Sequence, residues 1–131
     1  MHSITCRNRH CTKCQGNARL KWLQARSAEL LSVPYFHVVF TLPYELSTLA
    51  LGNKRIIYDL LYRTSAEAML EMAHDPKHLG ADIGFLGVLH TWGQSLEHHP
   101  HVHYIVPAGG LAADGSKWIS CSDRFSCRSW L

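Results

Sequence analysis

The chain has 131 residues, 47% of them hydrophobic and 18% charged, with a formal net charge of +3, ten histidines and five cysteines. That length holds one domain with a small appendage, and the composition excludes a disordered chain. No apolar run reaches the roughly 18 residues of a membrane span, and the first thirty residues lack the apolar stretch of a signal peptide, so the expectation is a soluble protein of a reducing compartment.

Residues 1–17 show little apolar periodicity but hold three of the five cysteines, Cys6, Cys11 and Cys14, beside His10. Such close spacing suits a metal better than a disulfide scaffold, and the segment reads as a loop organised by something other than a core. Charge is just as uneven. Arg7, Arg9, Lys13, Arg19, Lys21 and Arg26 precede the first acid, Glu29, while the remaining seven Lys and Arg face ten Asp and Glu. An arm of this kind points to a polyanionic partner; the competing reading is a solvated helix face.

Over residues 18–31, Leu20, Leu23, Leu30 and Leu31 recur at helical spacing, and Val33-Pro34 ends the element. Tyr35–Leu42 is β-branched and aromatic and reads as a buried strand closed by Pro43. A short helical turn is expected over Glu45–Leu51. Asn53 is placed to cap a long helix to about Ala73, with Ile57, Leu60, Leu61, Met69 and Met72 as its apolar row and Asp75-Pro76 as its stop. Ile83–Trp92 and His101–Val106 read as strands joined by the polar stretch Gly93–Pro100. Ala113 to Ser116 then turns into a last strand at Lys117–Ser120. Strand, long helix, strand, strand and a strand stub make the first part of a ferredoxin-like or RNA-recognition-like α+β antiparallel sheet.

Half of the histidines fall in one window: His90, His98, His99, His101 and His103. On a strand, His101 and His103 share a face about 7 Å apart, with Val102 turned into the opposite layer. Two imidazoles so placed can hold one divalent ion. Gln94, at the end of the preceding strand, can bring an amide oxygen to the same ion if the two strands form a hairpin. Two imidazoles and a neutral oxygen leave water positions open, which suits Mg²⁺ or Mn²⁺ acting on a phosphate. His98 and His99 are read as loop residues.

The run His98-His99-Pro100-His101-Val102-His103, followed by Val106-Pro107 and Gly109-Gly110, resembles the metal motif of the HUH (His-hydrophobic-His) endonucleases. Cys6-Arg7-Asn8-Arg9-His10-Cys11, Lys13-Cys14-Gln15, Val33 through Pro43 and His90-Thr91-Trp92-Gly93-Gln94 resemble one branch of them, the insertion-sequence-91 family of rolling-circle transposases, from about Cys6 to about Cys121. The resemblance implies an incomplete HUH-type sheet with helices on one face, preceded by a small zinc-binding segment. It implies DNA transposition in a bacterial cytoplasm, at the nucleoid, with single-stranded transposon ends as the partner. In that family a tyrosine attacks the scissile phosphate while His101, His103 and Gln94 would hold the metal. Phe40-Thr41-Leu42 corresponds to a central supporting strand. The cysteine cluster resembles the family's zinc module, with Cys6, Cys11, Cys14 and either His10 or His2 as ligands to Zn²⁺; the family draws further ligands from upstream residues. The boundaries are 1–17 for a partial zinc segment, 18–32 for a basic linker helix, 33–121 for the core and 122–131 for an irregular tail.

Tyr58 and Tyr62 have the i, i+4 spacing of a two-tyrosine nuclease, yet they precede the His-x-His strand and sit on an apolar helix, so packing accounts for them. The catalytic tyrosines are therefore expected to be absent and the chain catalytically incomplete. Back-translation of Phe125–Leu131 admits a single-nucleotide deletion near codon 125, since one added T restores an apolar Phe-Phe-Leu-Pro-Val segment like that of the family. A sheet cut short there would expose an edge and favour self-association. Two other readings fit the same residues: a non-catalytic zinc and DNA-binding module, or a phosphodiesterase that uses water with His90 as base.

Overall fold

The computed structural model describes residues 12–93 and 97–121. The chain divides into two compact units, Met1–Ser32 and Val33–Leu131. In the first, a helix α1 spans Thr12–Ala28. It begins within the stretch expected to be a loop, because nothing from Thr12 to Ala28 breaks a helix except Gly16, and it ends three residues before the expected Leu31. Its apolar side chains do not form a buried stripe: Leu20, Trp22 and Leu23 are all exposed, as are Leu30 and Leu31 beyond it. The ion pair Arg26–Glu29 (2.7 Å) lies at the surface, where such pairs contribute little.

The second unit is α+β. Strand β1 (Tyr35–Thr41) is followed by a 3-10 turn (Tyr44–Leu46), a short helix α2 (Ser47–Gly52) and the long helix α3 (Lys54–His74). Strands β2 (Leu86–Trp92), β3 (His98–Pro107), β4 (Gly109–Leu111) and β5 (Trp118–Ser120) complete it. β1, β3 and β2 form one antiparallel sheet with β3 in the middle; β4 and β5 form a separate ribbon. Two expectations change here. Phe40-Thr41 lies on a strand at the sheet's edge among the described residues, not on the central one. The stub at Trp118–Ser120 pairs with Gly109–Leu111 rather than extending the main sheet. Gly109, at φ 149°, and Gly110, where any Cβ would stand 2.5 Å from the Asp82 carbonyl oxygen, let the chain turn away after β3.

Strand pleating decides where the core sits. Pro100, Val102, Tyr104 and Val106 of β3 are buried, and the core joins Val38, Met69, Val102, Tyr104 and Val106 with Phe36, Phe40, Leu61, Ile83, Phe85 and Leu89 packed around them. Each such side chain contributes roughly 1.5–3 kcal/mol when fully buried. α3 turns Leu61, Ser65, Met69 and Ala73 inward, while Leu60, expected inside, is exposed. The Tyr104 hydroxyl, 2.8 Å from Ser65 Oγ, donates to Tyr62 O (3.2 Å) and ties the helix to the sheet. Asn53 stands at the N-cap position as expected, but its amide donates backwards to Leu49 O (3.1 Å) and caps nothing in α3. No helix is long and apolar enough to cross a membrane among the described residues. Cys6, His10, Cys11, Arg7, Arg9, Gln94 and the tail from residue 122 lie outside those residues.

Gly87 of the sheet lies tight against Tyr62 of α3: a Cβ there would stand 2.5 Å from both the Tyr104 ring and the Tyr62 hydroxyl. Gly87→Ala should therefore destabilise the fold by about 1–3 kcal/mol through overpacking. Gly52→Ala, with nothing within 4 Å of its Cβ, should be neutral or slightly stabilising; urea midpoints of the two variants compare them directly.

Candidate metal centre

The same pleat that buries Val102 and Tyr104 turns His99, His101 and His103 to the other face of β3. Register then brings the neighbours in. Thr41 and Val39 of β1 lie opposite His101 and His103, and His90 and Val88 of β2 lie opposite the same pair from the other side. Beyond His90 the register shifts, so that Trp92 pairs with His98. That irregularity extends β3 back to His98, which is why His98 and His99 are strand residues and not the loop residues expected. The result is a cleft of about 700 Å³ lined by Val39, Thr41, His90, Trp92, Gly93, Glu97, His99, His101 and His103.

His90, His101 and His103 converge in it, with one ligand nitrogen from each lying within 4.8 Å of the others. Two nitrogens bound to one ion at about 2.1 Å stand at most about 4.2 Å apart, so a small rotation of the rings closes the set. The donor set fits a divalent metal. His101 Nδ1 lies 2.7 Å from the His99 carbonyl oxygen; a carbonyl only accepts, so the proton is on Nδ1 and the Nε2 lone pair is free for an ion. His103 Nδ1 makes a 2.7 Å hydrogen bond with His37 Nε2. Burial, then the neighbouring charges of His90, His101 and His37, hold the His103 imidazole below the ordinary histidine range, which keeps it neutral and competent as a ligand.

Of the expected site residues, His101 and His103 are brought together, while Gln94 lies outside the described residues and follows Gly93 of the cleft wall. His90 was read only as an alternative base. Its place beside both strand histidines depends on the hairpin register, which no local pattern in the sequence contains. In the first unit, Lys13 and Cys14 fall in the first turn of α1, with Arg19, Lys21 and Arg26 further along it. The helix tyrosines are engaged elsewhere: Tyr62 donates to Gly87 O (3.0 Å), and the Tyr58 hydroxyl lies 2.7 Å from His98 Nε2. Burial raises the Tyr58 phenol above its ordinary value, which opposes phenolate formation. Neither lines the cleft.

Because His103 titrates lower in the folded chain than in the unfolded one, the unfolded chain takes up its proton first as pH falls. Stability of the metal-free protein should drop as pH passes down through the ordinary histidine value near 6.5 and level off below the folded value. Melting temperatures measured from pH 8 to pH 5 should show that slope in the wild type, and His103→Gln should flatten it.

Comparison with known proteins bears on the same regions. A family described as "Transposase zinc-binding domain" matches residues 1–42, and one described as "Putative transposase" matches residues 84–131. The chain is 55% identical over 121 residues to "Putative transposase y4qJ" of Sinorhizobium fredii, covering 92% of this chain and 30% of that protein. It is 39% identical over 128 residues to "Transposase for insertion sequence element IS801" of Pseudomonas savastanoi pv. phaseolicola, covering 97% and 30%. The chain thus spans about 30% of the length of these relatives, and no solved structure matches it. With a zinc-binding transposase segment at one end, a transposase segment holding the histidine cluster at the other, and two transposases aligned over 92% and 97% of its length, the chain belongs to the insertion-sequence-91 family of transposases.

Proposed function

We propose that the chain carries the metal-binding half of an HUH-type strand-transfer site, with the histidine face of the sheet receiving a single-stranded transposon end. The observation that carries this reading is the convergence of His90, His101 and His103 in an open cleft. The antiparallel sheet with α3 on the face opposite the histidines supports an HUH, RNA-recognition-like core over residues 33–121. His90 serves as a ligand in this reading, not as the base of a water-using hydrolase, because it stands within reach of the same ion position as the other two. Gln94 completes the set.

An ion held there supplies Lewis acidity to the non-bridging oxygens of a phosphodiester. The chain's own part is positional: His90, His101 and His103, fixed on two paired strands, would hold the ion at the wall of the cleft, and the cleft would give a phosphate room to be positioned beside it. Imidazole nitrogens match Mg²⁺ poorly, since it prefers an all-oxygen shell, and favour Mn²⁺ among the two hard ions considered. None of the chain's five tyrosines lines the cleft, so the reading assigns the nucleophile to no tyrosine of this sequence.

The N-terminal unit supplies the grip on DNA. Cys6, His10, Cys11 and Cys14 hold Zn²⁺ over residues 1–17, and Arg7, Arg9, Lys13, Arg19, Lys21 and Arg26 contact phosphates from that segment and the helix of 18–32. Trp22, half exposed on α1 rather than packed, is available to stack on a base. The outer edges of β1 and β2, unpaired among the described residues, are where self-association would begin. The setting is the bacterial nucleoid.

Calorimetry with Mn²⁺ tests the centre: His101→Ala and His103→Ala should each abolish binding, His90→Ala should weaken it strongly, and Gln94→Ala should weaken it least. Mixed with single-stranded DNA and Mn²⁺, the chain should bind the strand without forming a covalent adduct; a protein–DNA band that survives denaturation would contradict the assignment of the nucleophile. Six phosphate contacts should give a slope of about −4 in log affinity against log salt, and a chain beginning at Ser32 should lose most of that slope.

A further inference from the structure

His37 stands on β1, outside the hairpin that supplies the three converging histidines. Its Nε2 lies 2.7 Å from His103 Nδ1, with the two rings nearly parallel at 7° and their centroids 4.9 Å apart. It is not one of the residues whose ligand nitrogens converge. Its importance lies in a choice that every neutral imidazole faces, since one ring nitrogen carries the proton and only the other has a lone pair to offer.

His101 has that choice settled by its own strand, through the His99 carbonyl. At His103 the partner is an imidazole nitrogen, which can either donate or accept. If His37 donates, His103 keeps its own proton on Nε2 and has no lone pair there to offer. If His103 donates, its Nε2 is free and both strand histidines present the same atom to the ion. Free imidazole side chains favour the proton on Nε2, so the productive form needs an acceptor at Nδ1. With the ring planes only 7° apart and the nitrogens in hydrogen-bond contact, the two rings lie nearly edge to edge in one plane, so the bond itself holds the imidazole against rotation.

We propose that His37 is the positioning residue of the metal centre: its Nε2 accepts the Nδ1–H of His103, fixing His103 in the form that binds metal through Nε2. The assignment rests on the metal reading given above. It makes β1 a working part of the site, coupled to the hairpin through one hydrogen bond between residues 66 apart in sequence, in the way that outer partners of ligating histidines fix tautomer and orientation.

The test uses the full chain at mildly alkaline pH, where imidazoles are neutral. Two-bond ¹H–¹⁵N correlation spectra of ¹⁵N-histidine protein, before any metal is added, should show His101 and His103 both protonated on Nδ1. In His37→Phe, His103 should move to the Nε2-protonated form and the Kd for Mn²⁺ should weaken by about tenfold to a hundredfold. His37→Gln, whose amide oxygen can accept the same N–H, should recover both. Wild-type His103 protonated on Nε2 would overturn the proposal without any variant. So would an unchanged Kd in His37→Phe. A wild type with Nδ1-protonated His103 that binds no Mn²⁺ would overturn the metal centre itself, and with it the purpose assigned to His37.

Discussion

Side chains leave an extended strand on alternating faces, and in β3 both faces are committed. Pro100, Val102, Tyr104 and Val106 go into the core, while His99, His101 and His103 go to the cleft. The two roles cannot be moved independently, because a one-residue slip in register would put histidines among Met69 and Phe85 and expose Tyr104. The apolar face thereby holds the polar face in place: Tyr104, wedged beneath α3 and hydrogen-bonded to Ser65 and Tyr62, fixes the strand whose next-door residue is His103.

That dependence explains why so unlike a set of residues supports one site. Gly87 admits Tyr104 and Tyr62 side by side, which lets β2 pair at the register that puts His90 opposite His101. The irregularity after His90 carries the pairing on to His98, where Tyr58 from α3 closes the start of β3 with a 2.7 Å hydrogen bond. Each is a packing feature of the core side, and each sets an angle on the histidine side. The tyrosines of α3 therefore serve the site as struts.

Much of this was legible in the sequence, and the limits are physical. Alternation along His101-Val102-His103 gave the shared face, and the β-branched run at Tyr35–Leu42 gave a strand, because both are local properties of a strand's pleat. The motifs from Cys6 to Cys14 and around His90 and His101 pointed to the transposase family through order and spacing. What was not legible depends on long-range pairing. His90 becomes a ligand candidate only through register, and His37 only through its place across the sheet from His103. Leu20, Leu23 and Leu60 looked like core by periodicity yet lie exposed, because periodicity marks an apolar face without saying what, if anything, covers it. The extension of β3 to His98 was missed for a similar reason: the polar loop signal around residue 97 gave no hint of an irregular pair at Trp92.

The number of imidazoles around one ion defines the centre. Pulsed electron paramagnetic resonance of Mn²⁺-loaded protein carrying ¹⁵N-histidine counts the nitrogens bonded to the metal. Three imidazole couplings are predicted, falling to two in His90→Ala, the histidine variant expected to retain some metal. Two couplings or fewer in the wild type would contradict the three-histidine centre.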